Sequence, residues 1–370
     1  MTTSVERWDV IELELPAAEA VFTQGDRYFT ARGPRVRFMP DEEGVWTYEA
    51  GGVSGTFVCT PAGEGNHGPV RVDGLGFRYA DGTPYRPYGT TAGPADTGTL
   101  DALAGAPFNR VRLSAPDERQ IRALRDLGVE AEVMLDGHDI AETVSRLAAY
   151  RNVWWCAPDD PEVLAEIREH DYGHHLLTVH GAIDTDFGAP WITHASLRHN
   201  QVRAIAGLTD ALDKPVVIDA CGAEGDAPDP DGGLPAQEML ARIWEGICQG
   251  GHVTHAESYG SRPWLAGECV ERIAFLRRIL DDAPAGLRHN PAAYDASTIE
   301  APGEYVLQYL GPHRYPRRRF ELPDGAYEVD VIDTWNMTVR TLEPVSGGRI
   351  EVELPAEQYF AIRLRPAARA

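Results

Sequence analysis

The stretch Lys214-Pro-Val-Val-Ile-Asp-Ala-Cys-Gly-Ala-Glu-Gly-Asp226 decides the reading of this chain. A proline start and three β-branched residues, followed by Asp219, Cys221 and two glycines, describe a buried strand that stops abruptly in a polar loop. Other short apolar runs end the same way: Val153-Trp154-Trp155 leading to Asp159 and Asp160, Leu176 to His180, Trp191 to His194, and His252 to Glu257. Polar loops or helix-like segments separate them. That alternation is the pattern of a parallel sheet whose functional groups gather at the carboxyl ends of its strands.

Working outward, strands are expected at 85–90, 108–113, 129–135, 152–156, 175–180, 191–194, 215–219 and 252–256. Helical spacing fills most gaps, over 118–127, 140–150, 162–170, 201–212, 236–249 and 268–280, with the first and fifth crossovers the weakest. Eight strands in this order predict a (β/α)8 TIM barrel over 69–290. On its amino-terminal side, 1–68 alternates with period two in Trp8–Leu15, Arg35–Met39, Val45–Tyr48 and Gly55–Cys59, the pattern of a small Ig-like β-sandwich. Residues 61–69 look like a linker, and Asp81-Gly82 signals a hairpin. Strand-like runs return at 305–310, 319–322, 326–332, 349–354 and 359–364, predicting a C-terminal β-sandwich over 291–370.

Composition limits the function. Of 370 residues, 57 are acidic and 34 basic, a net charge of −23 that repels phosphate backbones and anionic lipids. Nucleic acid and membrane are therefore not expected partners, and the one basic run, Arg314–Arg319, is expected to be a solvated hairpin. Neither a signal peptide nor a spanning segment is visible, so a cytoplasmic location is expected. Five scattered cysteines imply no disulfide framework and no zinc knuckle.

The motifs Arg37-Phe-Met-Pro40, Gly44-Val-Trp-Thr-Tyr48, Tyr79-Ala-Asp-Gly-Thr-Pro84, Pro107-Phe-Asn-Arg-Val-Arg112, Tyr150-Arg-Asn-Val-Trp-Trp155, Trp191-Ile-Thr-His194, Lys214–Asp219, Thr254-His255 with Glu257, and Ile332-Asp-Thr-Trp-Asn-Met-Thr338 occur in one order along the chain. In that order they resemble bacterial candidate glycoside hydrolases of the apiosidase-like barrel family. The resemblance implies a sandwich, a catalytic (β/α)8 barrel and a second sandwich. It also implies a general acid/base after strand four and a nucleophile after strand seven. Asp159 and Asp160 stand where the family carries Asn-Glu, and Ala220 stands where it carries the nucleophilic Glu.

A retaining glycosidase needs two carboxylates about 5 Å apart. Asp160 is the remaining acid candidate, while Ala220 cannot attack. Glu257 and Glu224 are the candidates for a relocated carboxylate, with a supporting hydrogen bond the plainer role for the first and a solvated loop charge for the second. Asp219 is a substrate contact or a buried partner of Arg112 or His255. Trp155, Trp191 and Trp264 are candidate sugar-stacking residues, and His180, His194, His255 and Tyr259 candidate hydroxyl ligands. At least one of Trp154 and Trp155 must face the helices. His170, His174 and His175 look like an exposed cluster. Cys156 and Cys221 lack a local basic partner and read as packing residues. No cofactor is called for. The ligand class is carbohydrate, and three functions compete: a non-catalytic glycan binder, a glycosidase with a relocated carboxylate, and a metal-dependent hydrolase using strand-end histidines.

Overall fold

The computed structural model describes residues 3–15, 17–33, 35–92, 97–136, 139–228, 233–260, 262–293 and 295–367. Eight strands form one sheet in sequence order: β1 Gly89–Thr91, β2 Arg110–Ser114, β3 Glu130–Met134, β4 Val153–Ala157, β5 Leu176–Gly181, β6 Ala195–Arg198, β7 Val216–Ala220 and β8 His252–Val253. Pairings β1 to β5 and β7 with β8 are parallel. This is the sheet order of a TIM-like barrel.

Helices α1 Thr97–Ala104, α2 Glu118–Asp126, α3 Ile140–Leu147, α4 Pro161–His170, α5 Ala204–Leu212, α6 Ala236–Cys248 and α7 Cys269–Leu280 lie between or after the strands. Their starts are written locally. Asp117 and Gln120 make a capping box for α2, Asp139 caps α3, and Asp160 followed by Pro161 opens α4. Between β5 and β6 the described chain is a loop without a helix, at the crossover whose sequence signal was weak.

The sixth strand is Ala195–Arg198, not 191–194. Its sequence, Ala-Ser-Leu-Arg, lacks a β-branched run, whereas the more apolar Trp191-Ile-Thr-His194 precedes it and belongs to its amino end.

The chain divides into two compact units: residues 1–73, 77–104 and 108–195, and residues 74–76, 105–107 and 196–370. In the first, a five-stranded sheet runs in the order Ser4–Glu6, Val53–Thr60, Gly44–Ala50, Glu19–Gln24, Arg27–Arg32, and Ile11–Leu13 pairs with Val36–Phe38. Phe22, Phe38, Trp46 and Phe57 make its core, with Phe22 and Phe38 stacked at 4.2 Å. The hairpin at Gly25-Asp26 was not read from sequence, although Gly25 takes the positive φ that its turn requires. Residues 61–69 are not a free linker. Asn66 bonds Arg7 O, Gly63 N bonds Glu6, and Gly68 lies so close to the Trp8 indole that a Cβ there would sit 2.6 Å from the ring.

In the second unit, Arg288–His289, Ser297–Ala301, Tyr305–Tyr309, Phe360–Pro366, Arg317–Asp333 and Thr338–Thr341 are successive neighbours, and Val345–Glu353 pairs with Arg317–Asp333. The expected break at Pro323-Asp-Gly325 does not end the strand. A register shift between Leu322 and Ala326 absorbs it, and Gly347 approaches Pro323 O where a Cβ would lie at 2.0 Å. Arg317 and Arg319 pair with Glu351, and Arg318 pairs with Asp295, so these arginines are locally neutralised where their strand pairs with Val345–Glu353.

Candidate functional site

Strand β7 ends at Ala220, whose side chain is half-buried, and the chain then re-enters a short strand at Ala223–Gly225. That strand runs parallel to Glu257–Ser258, in a register that sets Glu224 beside Glu257. Gly225 is required there, because a Cβ would lie 1.9 Å from Ser258 O. Two carboxylates side by side in a dry site repel each other unless donors surround them.

The donors come from the start of α7 and the loop before it. Glu224 Oε1 accepts from Glu268 N at 2.6 Å and the Tyr259 hydroxyl at 2.7 Å, while its Oε2 accepts from Cys269 N at 3.3 Å and lies 3.3 Å from His255 Nε2. Glu257 accepts from Leu265 N and, at 3.1 Å, from Gly267 N, with His255 Nε2 at 3.9 Å. Both carboxyl groups are almost completely shielded, the Glu224 side chain 0% and that of Glu257 2% exposed. Burial alone raises the Glu224 carboxyl, but the hydrogen bonds from His255, Tyr259 and Cys269 outweigh it and hold the group down at about 2. At Glu257 burial wins over the His255 charge and the two amides, Glu224 adds repulsion, and the carboxyl is pushed up. Gly267 makes the arrangement possible, since a Cβ there would lie 2.6 Å from Glu257 Oε2 and 2.8 Å from Glu224 Oε1.

Glu224 is therefore not the solvated loop charge its sequence setting implied. Its burial comes from residues some forty positions later, which a local reading does not reach. Asp226 is the exposed member of that loop and accepts from Gly260 N. Asp219 is buried as well, and it takes hydrogen bonds from the hydroxyls of Ser196 and Thr254, both at 2.5 Å.

Glu224, His255 and Cys269 offer ligand atoms within 4.8 Å of one another. The chemistry of the set argues against a divalent cation. The Glu224 oxygens already accept from two amides and a phenol at the amino end of a helix, where the dipole favours anions. Cys269 donates its Sγ to Ala236 O, and burial, with Glu224 beside it, pushes its thiol far up.

In the first unit β4 and β5 end within a residue of the expected positions, but the side chains that follow are committed differently. Asp160 is exposed, but its carboxylate accepts from Glu162 N at 2.9 Å as the cap of α4. Asp159 is exposed beside it. His180 is exposed at the carboxyl end of β5, 3.4 Å from an Arg112 nitrogen that also reaches Cys156 Sγ at 3.4 Å. Cys156 thus has a basic partner, supplied by a strand 44 residues away. Trp155 is 0% exposed and edge-on to His175, so it has no surface for a sugar. Trp154 lies among Phe77, Tyr85 and His194, with its Nε1 on Glu130.

His194 is fully buried in that ring cluster at the amino end of β6, not at a strand's carboxyl end. Trp191 is 40% exposed at the same end and stacks on Arg168, so the shift of the sixth strand removes both from the expected ligand set. His175 is not an exposed histidine but a buried partner of Asp171 at 2.6 Å, and His170 bonds Ser145. Tyr259 and Trp264 are half-buried, with Arg262 over the Tyr259 ring. His255 is buried at 0%. Leu265, Gly267 and Cys269 are the site residues that the sequence did not disclose.

A protein from Bacteroides vulgatus described as a candidate glycoside hydrolase superposes with a TM-score of 0.87 at 28% identity, over 99% of this chain and 100% of that one. The fold is glycoside hydrolase-like. A structure described as a glycoside hydrolase gives a TM-score of 0.68 at 12% identity, covering 82% of this chain and 98% of its own. A glycoside hydrolase family 5 protein from Bacteroides vulgatus gives 0.67 at 12% identity, covering 82% and 95%. These two show the fold alone. The family described as "Domain of unknown function (DUF5605)" matches residues 294–365. Among curated proteins nothing matches the sequence. Among the described residues no helix is long and apolar enough to cross a membrane.

Proposed function

We propose that the chain is a carbohydrate-active protein of glycoside hydrolase ancestry that binds glycans without hydrolysing them by a retaining route, because Ala220 occupies the nucleophile position. One observation carries this reading. The two carboxylates able to replace the missing nucleophile, Glu224 and Glu257, are both shielded and both spent on amides of the loop before α7 and of its first residue. A nucleophile must present a free lone pair to the anomeric carbon. The capping role of Asp160 supports the same conclusion on the acid side, since an acid catalyst in that place would give up its helix cap, worth about 1 kcal/mol. Barrel hydrolases bind their substrates at the carboxyl ends of the strands; taken unit by unit, the exposed Asp159 and His180 lie at the ends of β4 and β5 in the first, and the half-buried Tyr259 and Trp264 follow β8 in the second.

A second reading has one observation in its favour. Glu224 and Glu257 are register neighbours whose carboxyls are pushed in opposite directions, which is how an acid and a nucleophile are told apart in many hydrolases. In that reading the chain is a glycosidase with a relocated pair. The test is aryl-glycoside release by the full chain with and without formate, beside Ala220→Glu, Glu257→Gln and Glu224→Gln. The binding reading expects no release without formate, and release restored by formate or by Ala220→Glu where the remaining geometry is intact. Robust formate-independent turnover, abolished in a folded Glu257→Gln protein, would establish the relocated pair instead.

A further inference from the structure

The five-stranded sheet has an outer face that the barrel chemistry does not use. Alternation along its strands sends Phe22, Trp46 and Phe57 into the core, each 0% exposed, and turns Thr23, Thr47 and Thr56 outward. Pairing sets Tyr28 opposite Thr23, Thr23 opposite Thr47, and Thr47 opposite Thr56, so four hydroxyl side chains form one row across four strands. With strands about 4.8 Å apart the row is roughly 14 Å long. The Thr23 and Thr47 hydroxyls bond each other, and Tyr28 is 73% exposed at one end.

A parallel row holds Thr30, Val21, Glu49 and Ser54 in successive register. Between the rows, Tyr48 and Gly55 turn inward, since a Cβ on Gly55 would meet the Tyr48 hydroxyl at 2.4 Å. Between the rows lies a depression of about 280 Å³, lined by Val21 and Tyr48 as well as by Thr23, Thr47, Glu49 and Ser54.

We propose that this face is an auxiliary binding surface for a neutral glycan chain laid across the strands. The inference rests on the carbohydrate reading above, but it concerns different residues. Hydroxyls that both donate and accept match the hydroxyls of a sugar, and the Tyr28 ring offers a stacking plane at one end. Val21 and part of Tyr48 line the depression beside these hydroxyls, an apolar surface for the carbon face of a sugar ring. The net charge of −23, with Glu49 in the depression, selects neutral over anionic glycans. A depression this shallow holds only part of a chain, so binding is weak per site and gains from repeated residues in a polymer.

The test is affinity electrophoresis of the full chain in gels containing xylan, mixed-linkage β-glucan or galactan, with melting curves as the folding control. The variants are the triple Thr23→Val/Thr47→Val/Thr56→Val, Tyr28→Ala, and Ser54→Trp, which plugs the depression. Trp264→Ala reports on the barrel. Each lost hydroxyl is expected to weaken binding about fivefold, so the triple variant loses at least tenfold in affinity while still melting cooperatively. Wild-type retardation of the triple and of Ser54→Trp, with loss in Trp264→Ala, overturns the surface and leaves the barrel reading standing. Loss in the sheet variants with Trp264→Ala unaffected supports the surface and removes the barrel as the binding site. Failure of the wild type to bind any of the three polysaccharides overturns both.

Discussion

Replacing Glu224 by glutamine tests whether its hydrogen-bond cage is structural. The carboxyl is held at about 2 against an ordinary 4.5, and at 1.36 kcal/mol per unit this amounts to about 3 kcal/mol of folding free energy. Because the folded value is depressed, that contribution is complete above about pH 4.5 and is lost as the pH falls toward 2. Glutamine has one accepting oxygen for four donors, so part of the cage is left unsatisfied. Urea unfolding followed by tryptophan fluorescence at pH 7 should show the variant about 3 kcal/mol less stable, and the gap should shrink by more than half at pH 3. Glu257 and Glu130 titrate in both proteins, so the difference between variant and wild type isolates residue 224 apart from its coupling to Glu257. Equal midpoints at pH 7, or a gap that persists unchanged in acid, would refute the cage as a stabilising element.

Three further outcomes are expected. Gly267→Ala puts a Cβ within 3 Å of both carboxylates and should cost about 1–3 kcal/mol, lowering the melting temperature by about 3–9 °C, as differential scanning fluorimetry would show; unchanged melting would mean that the carboxylates or the loop yield easily. Glu130, buried under Trp154, has its carboxyl pushed up to about 8 by burial, so its favourable contribution is complete below pH 4.5 and is lost as pH rises to 8; Glu130→Gln should flatten that decline in denaturation midpoints between pH 5 and 8. Trp335 stacks on Arg272 at 3.9 Å and its carbonyl accepts from the Arg272 Nε, so Trp335→Ala should destabilise by about 1–3 kcal/mol in the same assay, whereas Arg349→Ala, on an exposed strand, should not.

The sheet order was legible because buried parallel strands are short apolar runs, and β4, β5 and β7 are of that kind. The sixth strand was misplaced for a physical reason. Ser196 is a strand residue that faces Asp219 and not a greasy neighbour, so Ala195-Ser-Leu-Arg198 lacks the apolar signature that Trp191-Ile-Thr-His194 carries. That error of four residues carried Trp191 and His194 to the wrong end of the strand. Trp155 could not be resolved from Trp154 by alternation alone, because both faces of a barrel strand are buried. The glycines of the 61–69 loop read locally as a linker, yet Gly68 is there to admit the Trp8 ring.

The stretch at 214–226 combines two jobs that the sequence presents as one. Asp219 and Glu224 are both buried acceptors whose donors, Ser196, Thr254, Tyr259 and the backbone of α7, come from four other segments. Residue 220 lies between them with no such ties beyond a backbone bond from His199 N. On the proposed reading this asymmetry explains how a nucleophile position can hold alanine inside an otherwise intact frame. Removing Asp219 or Glu224 would strand several buried donors at about 1–3 kcal/mol each, whereas removing a side chain at 220 strands none. The same asymmetry predicts that Ala220→Glu folds, since the half-buried end of β7 can let a longer side chain reach solvent, and it makes that variant the informative one for catalysis.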